Sequence, residues 1–172
     1  RLLGVLGYST VLGDLLASRP GQWRRLVPAS LTATRDYESR LAEAVSSEGD
    51  VLTGPTAVRS LRMAYRELLL EIAAEDLAHV VESELPRPSL TDVTRALTEL
   101  AEAALRAGLL IAQREVGHSA DGTLAIIAMG KCGARELNYV SDVDVVFVGG
   151  DDIPVATRLA TALMRIVGQS CF

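Results

Sequence analysis

Two aspartates, Asp142 and Asp144, stand two residues apart at the head of an apolar run that continues to Val148. In an extended segment this spacing points both side chains to one face. Their Cα atoms would then lie about 6.6–7 Å apart, a span suited to bracketing divalent cations. Carboxylates this close repel, and a cation that neutralises them keeps both ionised. Mg2+ suits the place, because it takes oxygen ligands, keeps several waters and joins one or two carboxylates to substrate phosphates. Upstream, Gly130-Lys131-Cys132-Gly133-Ala134 reads as a tight turn into a short helix. Glycines let a backbone approach a phosphate closely, and the amides at a helix start favour an anion. Ser141 has a hydroxyl to offer a phosphate oxygen. Lys131 has a positive charge to offer, and it reads equally well as a solvated residue at a helix start.

Each piece has a plainer reading when taken singly. Ser-Asp-x-Asp at a strand start also makes a turn or a cap. The glycine turn is not a Walker A loop: Ala125 stands where the first glycine belongs, and Cys132 replaces the Ser/Thr after the lysine. Nor does it have the three-glycine spacing of a dinucleotide fingerprint. Together, a phosphate-compatible turn, a short helix and a carboxylate pair on the next strand point to a metal-assisted phosphate site as readily as to the plainer structural roles.

The elements around these residues change character along the chain. Val58, Leu61, Tyr65, Leu68, Leu69, Ile72, Leu77, Val80 and Val81 recur at helical spacing from Gly54-Pro55-Thr56 to a stop before Pro86. That predicts one helix on the order of 45 Å long. Ser89 with Asp92 predicts a capping box ahead of a second stripe, Val93, Leu97, Leu100, Ala104, Leu105, Leu109 and Ala112. Pro86-Arg87-Pro88 reads as the hinge between these two helices, which should pack antiparallel. Shorter helices are expected around Val5–Leu16 and Ser30–Ser46. Leu124–Met129 and Val143–Val148 read as strands buried on both faces, and Lys131–Asn138 between them has the length of two helical turns. Asp151 and Asp152 read as the cap of a last helix, marked by Val155, Leu159, Leu163, Ile166 and Val167, with Pro154 in its first turn.

The 172 residues carry a formal charge of −5, with 49% hydrophobic and 23% charged residues, which is globular composition and excludes disorder. No apolar run is long enough to cross a bilayer, and no basic stripe suggests a nucleic-acid partner. Cys132 and Cys171 lack the spacing of a disulfide framework or a zinc cluster. A soluble, cytoplasmic protein is expected. The chain opens on Arg1, and it closes on Cys171-Phe172 without a helix stop signal, as a piece of a longer polypeptide would. Trp23 and Tyr65 are expected in the helical core, His79 at its edge, and His118 in a loop. Glu136 reads as a salt-bridge or cap residue, and Cys132 as an unactivated thiol.

Small-Gly followed by D-x-D at a strand head resembles the signature of the DNA polymerase β-type nucleotidyltransferase superfamily. The fuller string Met129-Gly-Lys-Cys-Gly-Ala-Arg-Glu-Leu-Asn138, continued by Ser141-Asp-Val-Asp-Val-Val-Phe147, resembles the glutamine synthetase adenylyltransferase/adenylyl-removing family. The wording MGK…ELN is similar to the amino-terminal, adenylyl-removing half of that two-module family. Leu61–Leu68 and Ile72–Leu77 resemble the same half, and Cys132 with Gly133-Ala134 resembles its actinobacterial branch. The resemblance implies an α+β fold: a helical array over 1–118, then over 119–172 the beginning of a nucleotidyltransferase domain with a mixed sheet. It implies an enzyme that controls glutamine synthetase by reversible adenylylation of a tyrosine, this half removing AMP by phosphorolysis. It also implies Mg2+ on Asp142 and Asp144, with phosphates held by Gly130, Lys131, Gly133, Ala134 and Ser141. ATP or ADP, inorganic phosphate, glutamine synthetase and a PII-type signalling protein are the implied partners. Many members have Gly-Gly at Gly133-Ala134, so the turn must manage without a second glycine. The superfamily's third carboxylate is expected beyond Phe172. The competing reading is a non-catalytic helical docking or regulatory module whose carboxylates are only structural.

Overall fold

In the computed structural model the described residues are 1–26, 36–82, 84, 87–117, 119 and 123–171. The backbone is built on two long helices, α4 (Gly54–Asp76) and α6 (Leu90–Val116). Before them come α1 (Leu2–Tyr8), α2 (Thr10–Ser18), a 3₁₀ segment Pro20–Leu26, α3 (Tyr37–Ala44) and a hairpin of β1 (Ser46–Ser47) and β2 (Asp50–Val51). A short α5 (Ala78–Val81) follows α4. After α6 come β3 (Leu124–Ala128), α7 (Gly130–Gly133), β4 (Val145–Gly149) and α8 (Ile153–Ser170). This is an α+β arrangement, a helical array with a small sheet. No helix among the described residues is long and apolar enough to cross a membrane.

The two long helices run antiparallel as expected: the Gly54 amide at the start of α4 donates to Glu115 near the end of α6 at 2.9 Å. The α6 stripe is buried at Val93, Leu97, Leu100, Ala104, Leu105 and Ala112, with Leu109 half-buried. Ser89 caps α6, its Oγ accepting from the Asp92 amide at 3.1 Å and donating to the Asp92 carboxylate at 2.6 Å. The helix ends at Gly117 in the left-handed conformation, where a β-carbon would be strained.

The first expected helix is shorter than its hydrophobic pattern. It stops at Asp76 after 23 residues, about 35 Å. His79 Nδ1 donates to the Asp76 carbonyl at 2.7 Å, and the Val80 amide turns to Leu77 at 3.1 Å. The ring occupies the acceptor that an uninterrupted helix would offer Val80, so the chain bends into α5. Pro86 and Ser30 lie outside the described residues, as does His118. The described part of the expected Ser30–Ser46 helix is α3, capped by Asp36.

The α4 helix is buried on two sides. Leu61, Leu68 and Ile72 join the main core with Leu41, Leu100, Ile111, Leu163 and Ile166. Leu70, Ala73 and Ala74 face a second core with Val5, Leu12, Leu15, Leu16 and Leu26. The α6 and α8 helices meet over Gly108, where a β-carbon would come within 2.7 Å of Val167 Cγ1. All five marker residues of the last helix are buried, and Asp152 Oδ1 caps it through the Val155 amide at 3.0 Å. Tyr65 packs against the main core. Trp23 does not: its ring is half exposed beneath the Arg24 guanidinium, which lies 5.0 Å from the ring centroid.

β3 and β4 pair antiparallel, with Ala128 opposite Val145 and Leu124 opposite Gly149. The expectation of a sheet buried on both faces is corrected. Ile126, Ala128, Val145 and Phe147 pack onto the helices, whereas Ile127, Val146 and Val148 are each close to half exposed. The helices cover one face only, so period-two alternation decides burial although both faces are apolar in sequence.

Candidate functional site

The Asp142–Asp144 segment lies just ahead of β4, not within it. The Met129 amide donates to the Asp144 carbonyl at 2.9 Å and carries the ladder one step past the strand. Alternation holds through the segment: Asp142 and Asp144 are exposed, and Val143 and Val145 between and after them are half-buried against the core. The two carboxylates therefore share the open side, as their spacing requires. Neither makes an ion pair among the described residues.

Asp144 is set by the turn that follows β3. Gly130 has φ +53°, and a β-carbon there would stand 3.1 Å from Asp144 Oδ2. Gly133 is needed for a different reason: its β-carbon would lie 2.6 Å from the Ala128 carbonyl oxygen. α7 itself is one turn, where two were expected. The Glu136 amide closes on the Lys131 carbonyl at 2.8 Å and the Arg135 amide on Cys132 at 3.1 Å, which is a Schellman stop. The left-handed residue in that stop is Arg135, at φ +60°. Ala134 has φ −81°, so its lack of a second glycine costs the turn nothing. Lys131, Gly133 and Ala134 are exposed beside this turn.

Asp142 is set by the loop from Leu137 to Ser141. Leu137 is buried, and its amide donates to Thr98 Oγ1 at 3.4 Å, while that hydroxyl donates to the Thr94 carbonyl at 2.8 Å. Asn138 folds the loop: its Oδ1 accepts from the Val140 amide at 3.0 Å and its carbonyl from the Ser141 amide at 3.2 Å. The Asn138 amide donates to Ser141 Oγ at 3.2 Å, so the hydroxyl proton of Ser141 remains to be given elsewhere. The Tyr139 hydroxyl donates to Asp76 Oδ2 at 3.1 Å and ties the loop to the end of α4. A cleft of roughly 270 Å³ opens here, lined among others by Tyr65, Leu97, Asn138, Ser141, Asp142 and Cys171.

The structure brings Gly130 against Asp144, and Ser141 and Asp142 into one cleft. Asp144 is not part of that cleft's lining. Thr98, Tyr139 and Asp76 carry no signal in the sequence, and Asn138 stands there only as the last residue of the Met129–Asn138 string, without the loop-folding role it has here. Cys132 is buried, which pushes its thiol pKa up, and Glu102 and Asp144 push the same way, opposite to the surroundings that activate a cysteine. Two carboxylates on one open side are hard oxygen donors of the kind Mg2+ takes. No group of three or more His, Cys, Asp or Glu side chains suited to a metal forms among the described residues.

The profile of the family described as glutamate-ammonia ligase adenylyltransferase matches residues 1–169. Curated relatives carry the name bifunctional glutamine synthetase adenylyltransferase/adenylyl-removing enzyme. The protein from Mycolicibacterium smegmatis is 44% identical over 181 aligned residues, covering 100% of this chain and 18% of the relative. That from Mycobacterium avium is 45% identical over 173 residues, covering 100% and 17%. That from Nocardia farcinica is 43% identical over 189 residues, covering 100% and 18%. The chain thus spans less than a fifth of the length of these relatives. No solved structure matches it.

Proposed function

Because the chain belongs to the glutamate-ammonia ligase adenylyltransferase family, we propose that it forms part of an enzyme controlling glutamine synthetase by reversible adenylylation of a tyrosine. Within that enzyme it belongs to the half that removes AMP. The carrying observation is the pair Asp142 and Asp144, exposed on one side with Gly130 pressed against the second carboxylate.

The reaction is phosphorolysis. An oxygen of inorganic phosphate attacks the adenylyl phosphorus, the bond from phosphorus to the tyrosine oxygen breaks, and ADP and the free phenol result. Asp142 and Asp144 would hold Mg2+, which offsets charge on the phosphoryl oxygens. The Gly130–Ala134 turn and the Ser141 hydroxyl orient phosphate oxygens for in-line attack. Lys131, exposed at the same turn, adds positive charge. Val143 and Val145 anchor the segment in the core, so the carboxylates are presented from a fixed backbone. The segment 119–172 supplies this site, and the helices of 1–118 support it and offer glutamine synthetase or a PII-type protein a surface. ADP and ATP are the nucleotides, and the setting is the cytoplasm.

The test is phosphate-dependent release of ADP from adenylylated glutamine synthetase by the polypeptide that carries this chain. Asp142→Asn and Asp144→Asn should each abolish phosphate-dependent release and Mg2+-dependent nucleotide binding. Unchanged release in both variants would leave the helical docking reading in its place.

A further inference from the structure

A second cavity, of roughly 320 Å³, lies between the start of α4 and the end of α8, and it shares no lining residue with the Asp142 cleft. Three arginines line it, Arg59 and Arg62 from α4 and Arg165 from α8. Residues 59 and 62 are one turn apart on the same side of their helix. We infer that this cavity is a binding site for a phosphate-type oxyanion, free or at the end of a nucleotide.

The charge balance carries the inference. Arg165 pairs with Glu115, which also accepts the Gly54 amide at the cavity wall at 2.9 Å. Arg62 donates from both Nε and Nη2 to the carbonyl of Gln169, a neutral acceptor at the end of α8, and makes no ion pair among the described residues. Arg59 is exposed and makes no ion pair among the described residues. Among the described residues these three arginines thus make one ion pair, in a chain whose overall charge is −5. Like charges lining one cavity repel, and an anion between them offsets that repulsion. Guanidinium groups give planar, paired N–H donors that match phosphate oxygens, and three of them approaching from two helices suit an anion with several charged oxygens.

The cavity is also placed to be felt by the Asp142 cleft. The single hydroxyl proton of Ser170 is shared between the Ile166 carbonyl at 2.8 Å and the Val58 carbonyl at 3.3 Å, which links the end of α8 to α4. Cys171, the next residue, lines the Asp142 cleft.

Calorimetric titration of the 172-residue chain with inorganic phosphate, and separately with ADP, tests this in low chloride with a chelator present. Saturable phosphate binding is expected, weakened about tenfold or more in Arg59→Gln and in Arg165→Gln. Arg59→Lys should retain part of it, and Asp142→Asn/Asp144→Asn all of it. Tighter binding of ADP than phosphate, with the same loss in Arg59→Gln, would assign the anion to a nucleotide; the reverse order would assign it to free phosphate. No saturable binding of either, equal binding in Arg59→Gln, or binding lost only in the double aspartate variant would overturn the site. Because the chelator removes Mg2+, failure here leaves the Asp142–Asp144 reading to its own experiment.

Discussion

Asp144 lies where a side chain on Gly130 would begin: a β-carbon on the glycine would stand 3.1 Å from Asp144 Oδ2, and the glycine's φ of +53° disfavours any L side chain. Backbone conformation and carboxylate position are therefore coupled at one residue. Gly130→Ala should cost about 1–2 kcal/mol from the left-handed conformation alone. It should also displace the Asp144 carboxylate and so weaken the Mg2+ binding proposed for it. Thermal unfolding reads the first effect and Mg2+ titration the second. A variant with wild-type stability and Mg2+ affinity would refute the coupling.

Thr98 holds the other aspartate at a distance. Its buried hydroxyl is the acceptor for the Leu137 amide at the root of the Asn138–Ser141 loop. Thr98→Val keeps the volume and leaves that amide without its partner, a loss of about 1–3 kcal/mol. Faster hydrogen exchange at the Leu137 amide should accompany it. Thr98→Ser should restore both stability and protection, and exchange unchanged in Thr98→Val would show that the hydroxyl does not anchor the loop.

The helices were legible in sequence because their apolar stripes have a period and their caps have names: Ser89, Asp152 and Pro154 all lie where the pattern puts them. The break at Asp76 was not, since it depends on a His79 side chain reaching back to a carbonyl within an unbroken hydrophobic pattern. The β1–β2 hairpin was missed because its turn is Glu48-Gly49, with φ +53° and +87°, and glutamate is not a usual residue for that conformation. At the site, period two correctly put Asp142 and Asp144 on one side. It could not tell that the other residues on that side, Val146 and Val148, stay exposed, because burial is decided by which face the helices cover. Thr98 and Asp76 lie 39 and 63 residues from their loop partners, and no local pattern connects them.

Arg135 occupies the left-handed position where helix stops usually have glycine. A side chain there costs about 1 kcal/mol, offset in part by the greater freedom glycine has in the unfolded chain. Arg135→Gly should therefore raise stability by a few tenths to about 1 kcal/mol without altering the α7 turn. Chemical denaturation reads the change directly. A destabilised variant would mean that the Arg135 side chain makes a contact worth more than its strain.

Glu71 is the centre of a network joining the 3₁₀ segment and α3 to α4. Arg40 donates to both of its carboxylate oxygens at 2.7 Å, and Arg25 donates to Oε1 at 2.6 Å and to Glu67 at 2.6 Å. Burial alone would push the Glu71 pKa up, but the hydrogen bonds and charges of Arg40 and Arg25 together outweigh it and hold the carboxyl below its ordinary range. A depressed native pKa means that the unfolded chain binds the proton more readily. The stabilisation is therefore complete above the ordinary carboxylate range and is lost as the pH falls through the lower native value. Glu71→Gln should cost about 1–2 kcal/mol at neutral pH, a figure kept low because both arginines are partly exposed. Urea unfolding of both proteins from pH 7 to pH 3 should bring the two stabilities together, with most of the convergence below the ordinary glutamate range. A constant gap across that range would mean that the network acts through shape and packing and not through the charge of Glu71.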